Sequence, residues 1–179
     1  MTKAVPQDTD RHNLKMQKKK VARDKIMATK TEKKGLIIIN TGKGKGKSSA
    51  AFGMIFRCIA HGMQCAVVQF IKGGMSTGER DLILKNFTNI CSFNTMGEGF
   101  TWETQDKARD MEMAGAAWEK AKDLIRDPKN TMVLLDEINI ALRYDYIDVK
   151  DITKFLLNEK PEMTHVVITG RNAKEELIE

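Results

Sequence analysis

With 179 residues, 41% of them apolar and 30% charged, the chain has the composition of a soluble globular protein and the length for one α/β domain with its own core. No stretch approaches the roughly 18 apolar residues that span a bilayer, and the first residues lack a signal-peptide core, so a membrane protein and a secreted one are both disfavoured and the cytoplasm is expected. The net charge of +6 is uneven: residues 1–34 carry eleven Lys or Arg against four Asp or Glu, and residues 35–179 carry nineteen against twenty.

That division makes residues 1–34 a basic arm on a near-neutral domain, residues 35–179, so nucleic-acid binding does not follow from the overall charge. Within the arm, RHNLKMQKKKVARDKIMATK (11–30) reads as a helix with Leu14, Val21 and Met27 along a weak apolar face, or as a solvated, partly disordered segment. In the first case it has a face with which to fold over a bound anion or a partner subunit.

From Gly35 the chain alternates between strand-like and helix-like segments. LIIIN (36–40) is a strand, the glycine-rich loop follows, and a helix runs from about Ser48 to His61 before Gly62. QCAVVQFI (64–71) is a second strand, KGGMSTGE a loop into a short helix, and NICSFN (89–94) a weaker third strand. After TMGEGFTWE, Thr104 is placed to cap a long helix that Asp127-Pro128 stops. TMVLLDE (131–137) and THVVITG (164–170) are further continuous apolar strands. Such strands, buried on both faces and separated by helices, predict a single three-layer α/β domain around a mostly parallel sheet. Ligands of such sheets bind at the C-terminal strand ends, where loops 41–48, 72–78 and 95–103 and the segment after 136 should converge.

The loop TGKGKGKSSAAFG (41–53) carries the strongest chemistry. Gly42, Gly44 and Gly46 allow backbone N–H groups to turn around phosphate oxygens. Lys43, Lys45 and Lys47 supply cationic charge, and Ser48 opens the helix with a hydroxyl suited to Mg²⁺. Counting back from Gly46 puts Thr41 at the first position of the standard G-x-x-x-x-G-K-[ST] pattern, so the loop is one spacer short. Asp136 and Glu137 end an apolar strand in the manner of a Walker B element, whose carboxylate holds Mg²⁺ directly or through water. Taken alone, that pair suits an ordinary ATPase.

Phe100 and Trp102, in GEGFTWET, sit at the functional edge; they either plug the core or wall a large flat ligand. Cys58, Cys65 and Cys91 form no CxxC pair and lie in or beside apolar segments, as reduced buried thiols do.

Together the segments TGKGKGKSSAAFG, HGMQCAVVQFIKG, GERDLI, GFTWET, VLLDEINIALRYDYI and VVITGRNA resemble the P-loop ATP:corrinoid adenosyltransferases of cobalamin synthesis and salvage, in order and near their spacing, from about Gly35 onward. The resemblance implies a RecA-like P-loop NTPase fold and transfer of the 5′-deoxyadenosyl group of ATP to Co(I) of a reduced corrinoid, with tripolyphosphate discarded whole. It implies roles as well. Ser48, Asp136 and Glu137 would hold Mg²⁺, and Lys43, Lys45, Lys47 and Ser49 would grip the triphosphate with the loop glycines. Gln69, Lys72 and Arg171 would reach the nucleotide. Lys47 and Glu137 would act in catalysis together with Phe100 and Trp102, which line the lower face of the corrin. Co(I) is strongly nucleophilic, so no general base is needed, and His12, His61 and His165 have no catalytic part. An electron donor such as a flavoprotein and a homodimer, in which the arm closes over the site, are implied partners; nucleic acid and membrane are not.

Three departures accompany the likeness. Lys43 stands where the family often has asparagine, and Ser48-Ser49 replaces a threonine pair. The chain stops at ELIE, whereas family members usually continue with a further strand and a tail; read as a fragment, it lacks the last strand of the sheet. A P-loop ATPase or kinase that moves the γ-phosphate remains open, as does a non-catalytic ATP- or corrinoid-binding module.

Overall fold

The computed structural model describes residues 6–70, 76–96 and 106–179. The chain divides into two compact units, Met1–Lys33 and Lys34–Glu179. In the first, α1 (Pro6–Ala28) is one continuous helix. A single helix has nothing of its own to bury an apolar side chain against, and Leu14, Val21 and Met27 are each half exposed or more.

The second unit is built on five parallel strands: β1 (Ile37–Asn40), β2 (Cys65–Gln69), β3 (Cys91–Thr95), β4 (Met132–Asp136) and β5 (His165–Thr169). Their order across the sheet is β1-β5-β4-β2-β3. The expected mostly parallel sheet is wholly parallel among the described residues. β5 slots between β1 and β4, a neighbour relation that chain order does not reveal.

The two faces bury different clusters, because successive side chains of a strand point to opposite sides. On one face Val67, Leu134 and Val167 meet α2 (Lys47–Ala60), whose buried Ala51, Phe52, Ile55 and Cys58 recur at helical spacing. Ile83 of α3 (Gly78–Asn86) joins them, and Phe52 stacks parallel to Phe93 with ring centroids 6.2 Å apart. On the other face Ala66, Val68, Val133, Leu135, Val166 and Ile168 pack against α4 (Lys107–Arg126). Its inward positions are mostly alanine (Ala114, Ala117 and Ala121), which lets the helix axis lie close to the sheet. Two helices complete that layer, α5 (Ile138–Arg143) and α6 (Val149–Asn158), with the short α7 (Glu175–Ile178) closing the chain. Trp118 of α4 meets Phe155 of α6 edge to face at 5.3 Å.

Element ends differ from expectation where side-chain chemistry competes. The cap of α4 is Asp106, which accepts from the Arg109 N–H at 3.1 Å, so the described helix begins at Lys107 and its cap lies two residues beyond Thr104. β3 spans Cys91–Thr95 where 89–94 was expected, because residues 88–90 form a turn in which Ile90 N–H bonds to the Phe87 carbonyl at 3.0 Å. The helices after Glu137 were not separately expected.

At the N-terminal edge of the sheet the chain is stapled. Gly35 N–H donates to Glu162 O at 2.6 Å, and the Lys160 ammonium donates to Pro161 O at 2.8 Å and Thr164 O at 2.9 Å. His165 serves the same edge, its Nδ1 accepting from Leu36 N–H at 3.0 Å. All three cysteines are free and buried.

Candidate functional site

The last residue of each strand is polar. Register places Asn40 beside Thr169, Asp136 beside Gln69, and Gln69 beside Thr95, and the Leu135–Ile168 pairing sets Asp136 next to Thr169. The row Asn40–Thr169–Asp136–Gln69–Thr95 therefore crosses the whole C-terminal edge. By two-residue alternation it faces the same side as Ile38, Val167, Leu134 and Val67, the side covered by α2.

Its centre is buried, and buried polar groups persist only when hydrogen-bonded. Gln69, Asp136 and Thr169 are all at 0% exposure. Gln69 Nε2 donates to Asp136 Oδ2 at 3.0 Å, and Thr169 Oγ1 donates to Asp136 Oδ1 at 2.8 Å. The amide orientation follows from chemistry, since the opposite one would set Oε1 against a carboxylate oxygen. Thr169 Oγ1 also accepts from the Glu137 N–H at 2.9 Å. Glu137 itself has φ 63° and ψ 19°, the left-handed region, which costs a non-glycine residue roughly 1–2 kcal/mol. That backbone turn takes the chain directly from β4 into α5.

Beside this node runs the phosphate loop. Gly42 (φ 118°) and Gly46 (φ 98°) occupy backbone conformations that side chains resist. Gly46 caps α2 without a side-chain bond, and no acidic residue stands in that helix's first turn. The first N–H groups of α2 are thus free of a competing carboxylate on their own helix, and the positive end of the helix dipole favours an anion there. Asn40 Nδ2 donates to Lys47 O at 3.2 Å, closing the strand-to-helix turn, and the Lys47 ammonium donates to Gly44 O within the loop. Lys43 and Lys45 are exposed, Lys47 and Ser48 half-buried, and Ser49 exposed.

A third segment reaches the same edge from β5. Gly170 (φ 130°) has room for no side chain, since a Cβ would lie 2.7 Å from Asn139 Cβ. Asn139 Nδ2 donates to Gly170 O at 3.2 Å. Arg171 follows, exposed, and Ala173 N–H donates to Thr41 Oγ1 at 3.0 Å. Thr41, the residue at odds with the standard loop pattern, thus ties the phosphate loop to the segment that carries Arg171.

The structure therefore brings Lys43, Lys45, Lys47, Ser48, Ser49, Gln69, Asp136, Glu137 and Arg171 to one edge of the sheet. Lys72, Phe100 and Trp102 lie outside the described residues. Thr169, Asn139 and Asn40 were not singled out from sequence, and Thr41 only as a departure from the loop pattern. A polar residue closing an apolar strand, as Thr169 closes HVVIT, is the signal that would have found the first.

Buried acceptors mark where a ligand or water is wanted: Gln69 Oε1 and Asn139 Oδ1 have no partner among the described residues. Among the described residues no group of three or more His, Cys, Asp or Glu gathers to hold a metal alone. One hydroxyl and two carboxylates, Ser48, Asp136 and Glu137, are the hard oxygen donors that suit magnesium, which keeps several waters and takes its other ligands from substrate phosphates.

Residues 33–179 match the family described as ATP:corrinoid adenosyltransferase BtuR/CobO/CobP, and residues 1–27 match the one described as Cob(I)alamin adenosyltransferase N terminal. A corrinoid adenosyltransferase of Sinorhizobium sp is 74% identical over 172 residues, which cover 96% of this chain and 80% of that one. Another, of Pseudomonas aeruginosa, is 45% identical over 174 residues, covering 97% and 85%. A third, of Escherichia coli K12, is 38% identical over 170 residues, covering 95% and 85%.

Proposed function

The chain belongs to the ATP:corrinoid adenosyltransferase family BtuR/CobO/CobP, and we propose that its phosphate loop and polar strand edge hold ATP while the 5′-deoxyadenosyl group passes to the cobalt of a reduced corrinoid. The observation that carries this reading is the acidic pair Asp136-Glu137, placed by a buried hydrogen-bonded node at the edge from which the glycine-lysine loop springs.

The step balances simply. The electron pair of Co(I) forms the Co–C5′ bond, the C5′–O bond breaks, and triphosphate leaves with that bond's pair. No proton moves, so the site needs no base, and His165 is occupied in binding Leu36 N–H. The demand falls on charge: a departing triphosphate must be neutralised by groups already in place.

Gly42, Gly44 and Gly46 let bare backbone approach the phosphates, while Lys43, Lys45 and Lys47 bring three cations to one end of α2. Lys47 exchanges the Gly44 carbonyl for a phosphate oxygen, a swap within reach of one flexible side chain. Ser48, Asp136 and Glu137 are the residues that would hold magnesium, which when bound lowers the charge carried by the leaving group. Asp136 is gripped on both carboxylate oxygens by Gln69 and Thr169, and Glu137 follows it in the left-handed turn, its N–H bound to Thr169. Gln69, its Nε2 committed to Asp136, offers the nucleotide or its hydration only Oε1. Ser49 and Arg171, with Lys72, would complete the nucleotide contacts, and Phe100 and Trp102 would serve the lower face of the corrin, displacing an axial ligand and excluding water, roles the family resemblance implies.

An electron donor such as a flavoprotein supplies the electron that reduces Co(II) of the corrinoid to Co(I), the enzyme works as a homodimer, and the reaction takes place in the cytoplasm. The three free, buried cysteines suit a reducing compartment. Among the described residues no helix is long and apolar enough to cross a membrane.

The decisive experiment is anaerobic incubation with ATP, magnesium and chemically reduced cob(I)alamin, with the corrin spectrum and the phosphate products followed together. A light-sensitive alkylcobalt species formed in step with tripolyphosphate is the expected result. Orthophosphate with an unchanged corrin spectrum would assign the site to γ-phosphate chemistry. ATP binding without turnover would make the chain a binding module.

A further inference from the structure

We infer that Thr169 is a positioning residue for the metal-nucleotide site: its hydroxyl sets the direction of both acids at once. The inference rests on the reading of the site as one for ATP and magnesium, and goes beyond it by assigning a part to a residue outside the phosphate loop and the acidic pair.

The geometry is specific to a hydroxyl. Thr169 Oγ1 donates its single proton to Asp136 Oδ1 at 2.8 Å and accepts the Glu137 N–H at 2.9 Å. A hydroxyl can do both together; valine, of nearly the same shape, can do neither. Each bond strengthens the other, since accepting an N–H polarises the O–H towards the carboxylate. Thr169 is at 0% exposure, so no solvent competes for either bond.

What the hydroxyl holds is a strained turn. Glu137 sits at φ 63° although it carries a full side chain, and its N–H is the backbone group that must be aimed for that turn to form. The bond from Thr169 favours the turn, and with it the course of Glu137 out of β4 into α5. On the same atom Asp136 is fixed from the side opposite Gln69, whose Nε2 lies 3.0 Å from Oδ2. Strand order makes this possible: β5 lies between β1 and β4, so its last residue stands between the phosphate loop and the acids. Gly170 follows with φ 130°, clearing space for Asn139 at the start of α5 and locking β5 to the same helix.

The test compares T169V and T169S with the wild-type chain in binding ATP, measured calorimetrically with magnesium chloride and again with magnesium chelated. In T169V, affinity for ATP with magnesium should fall about 10–100-fold, the usual effect of removing a group that orients a metal ligand, while affinity without magnesium changes less than about threefold. T169S, which keeps the hydroxyl, should recover most of the magnesium dependence. Circular dichroism and a melting curve establish that each variant is folded; if T169V is not, T169A takes its place against T169S. Wild-type magnesium dependence in T169V, or equal loss in T169S and T169V, would overturn the inference, the second because it assigns the effect to packing. Failure of T169V and T169A to fold beside a folded T169S would overturn it too, by making the hydroxyl a matter of stability. A wild-type chain that binds ATP without any help from magnesium would overturn the proposed site itself, and the inference with it.

Discussion

The backbone N–H of Ala173 donates to the hydroxyl of Thr41 at 3.0 Å, joining the first residue of the phosphate loop to the segment that carries Arg171. The two are 132 positions apart in the chain, yet β1 and β5 are neighbours in the sheet, so their C-terminal extensions leave side by side. A glycine at position 41 would lack this tie. The shortened loop thus gains an anchor where the standard pattern has none.

Replacing Thr41 by valine should loosen the loop without unfolding the domain, since Thr41 is exposed. One exposed hydrogen bond contributes about 0.5–1.5 kcal/mol, so the KM for ATP should rise roughly two- to tenfold with a smaller change in kcat. T41S should behave as the wild type. Steady-state kinetics at varied ATP decide it, and an unchanged KM in T41V would show that the anchor does not matter to binding.

Among the described residues the Lys47 ammonium bonds only to the Gly44 carbonyl, so K47A should leave the melting temperature nearly unchanged. Its cost should appear on charge stabilisation of the leaving triphosphate, as a drop of about 10²–10³-fold in tripolyphosphate release. A variant that melts normally and still releases tripolyphosphate at more than a tenth of the wild-type rate would remove Lys47 from the catalytic set.

Gly35 lies at the opposite edge of the sheet. A Cβ there would stand 2.2 Å from the Thr164 carbonyl oxygen, and the Gly35 N–H is held to Glu162 O at 2.6 Å. G35A must therefore displace backbone, and overpacking of this kind destabilises by about 1–3 kcal/mol. Urea unfolding should show a lower midpoint with the slope preserved, and the folded fraction should keep its ATP affinity. An unchanged midpoint would mean that the entry to β1 is far softer than its contacts imply.

The Asp145 carboxyl is held below its ordinary value of 3.8 by the hydrogen bond and charge of the Lys174 ammonium, 2.5 Å away. A carboxyl depressed in the folded state adds stability above its unfolded pKa, and that stability is lost as pH falls through the folded one. D145N should therefore be slightly less stable than wild type at neutral pH and indistinguishable from it once Asp145 is protonated in both states. Asparagine tolerates the φ of 56° at this position, so the comparison isolates charge. The pair is exposed and its effect small; melting curves across acid pH should converge, and parallel curves would exclude the linkage.

Much of this protein is written in short windows of its sequence. The strands show because LIIIN, CAVVQ and MVLLD are continuous apolar runs that only a doubly covered sheet can bury, and the phosphate loop shows because its glycines and lysines lie within one turn of chain. The acids Asp136 and Glu137 are visible for the same reason, ending a run that needs no partner to be recognised. The cap of α4 was harder to place, because Thr104 and Asp106 offer the same chemistry two residues apart.

Only the tertiary structure decided how these pieces meet. Nothing local to HVVIT says that its last residue will stand beside Asp136, 33 positions away, or that Gln69 will close the other side of the same carboxylate from 67 positions away. Those contacts depend on strand order, and strand order is set by which apolar faces pack best over the whole domain, a sum over many weak contacts that no window of sequence contains. The sequence by itself determined the chemistry available at the edge; the order β1-β5-β4-β2-β3 determined which atoms of it touch.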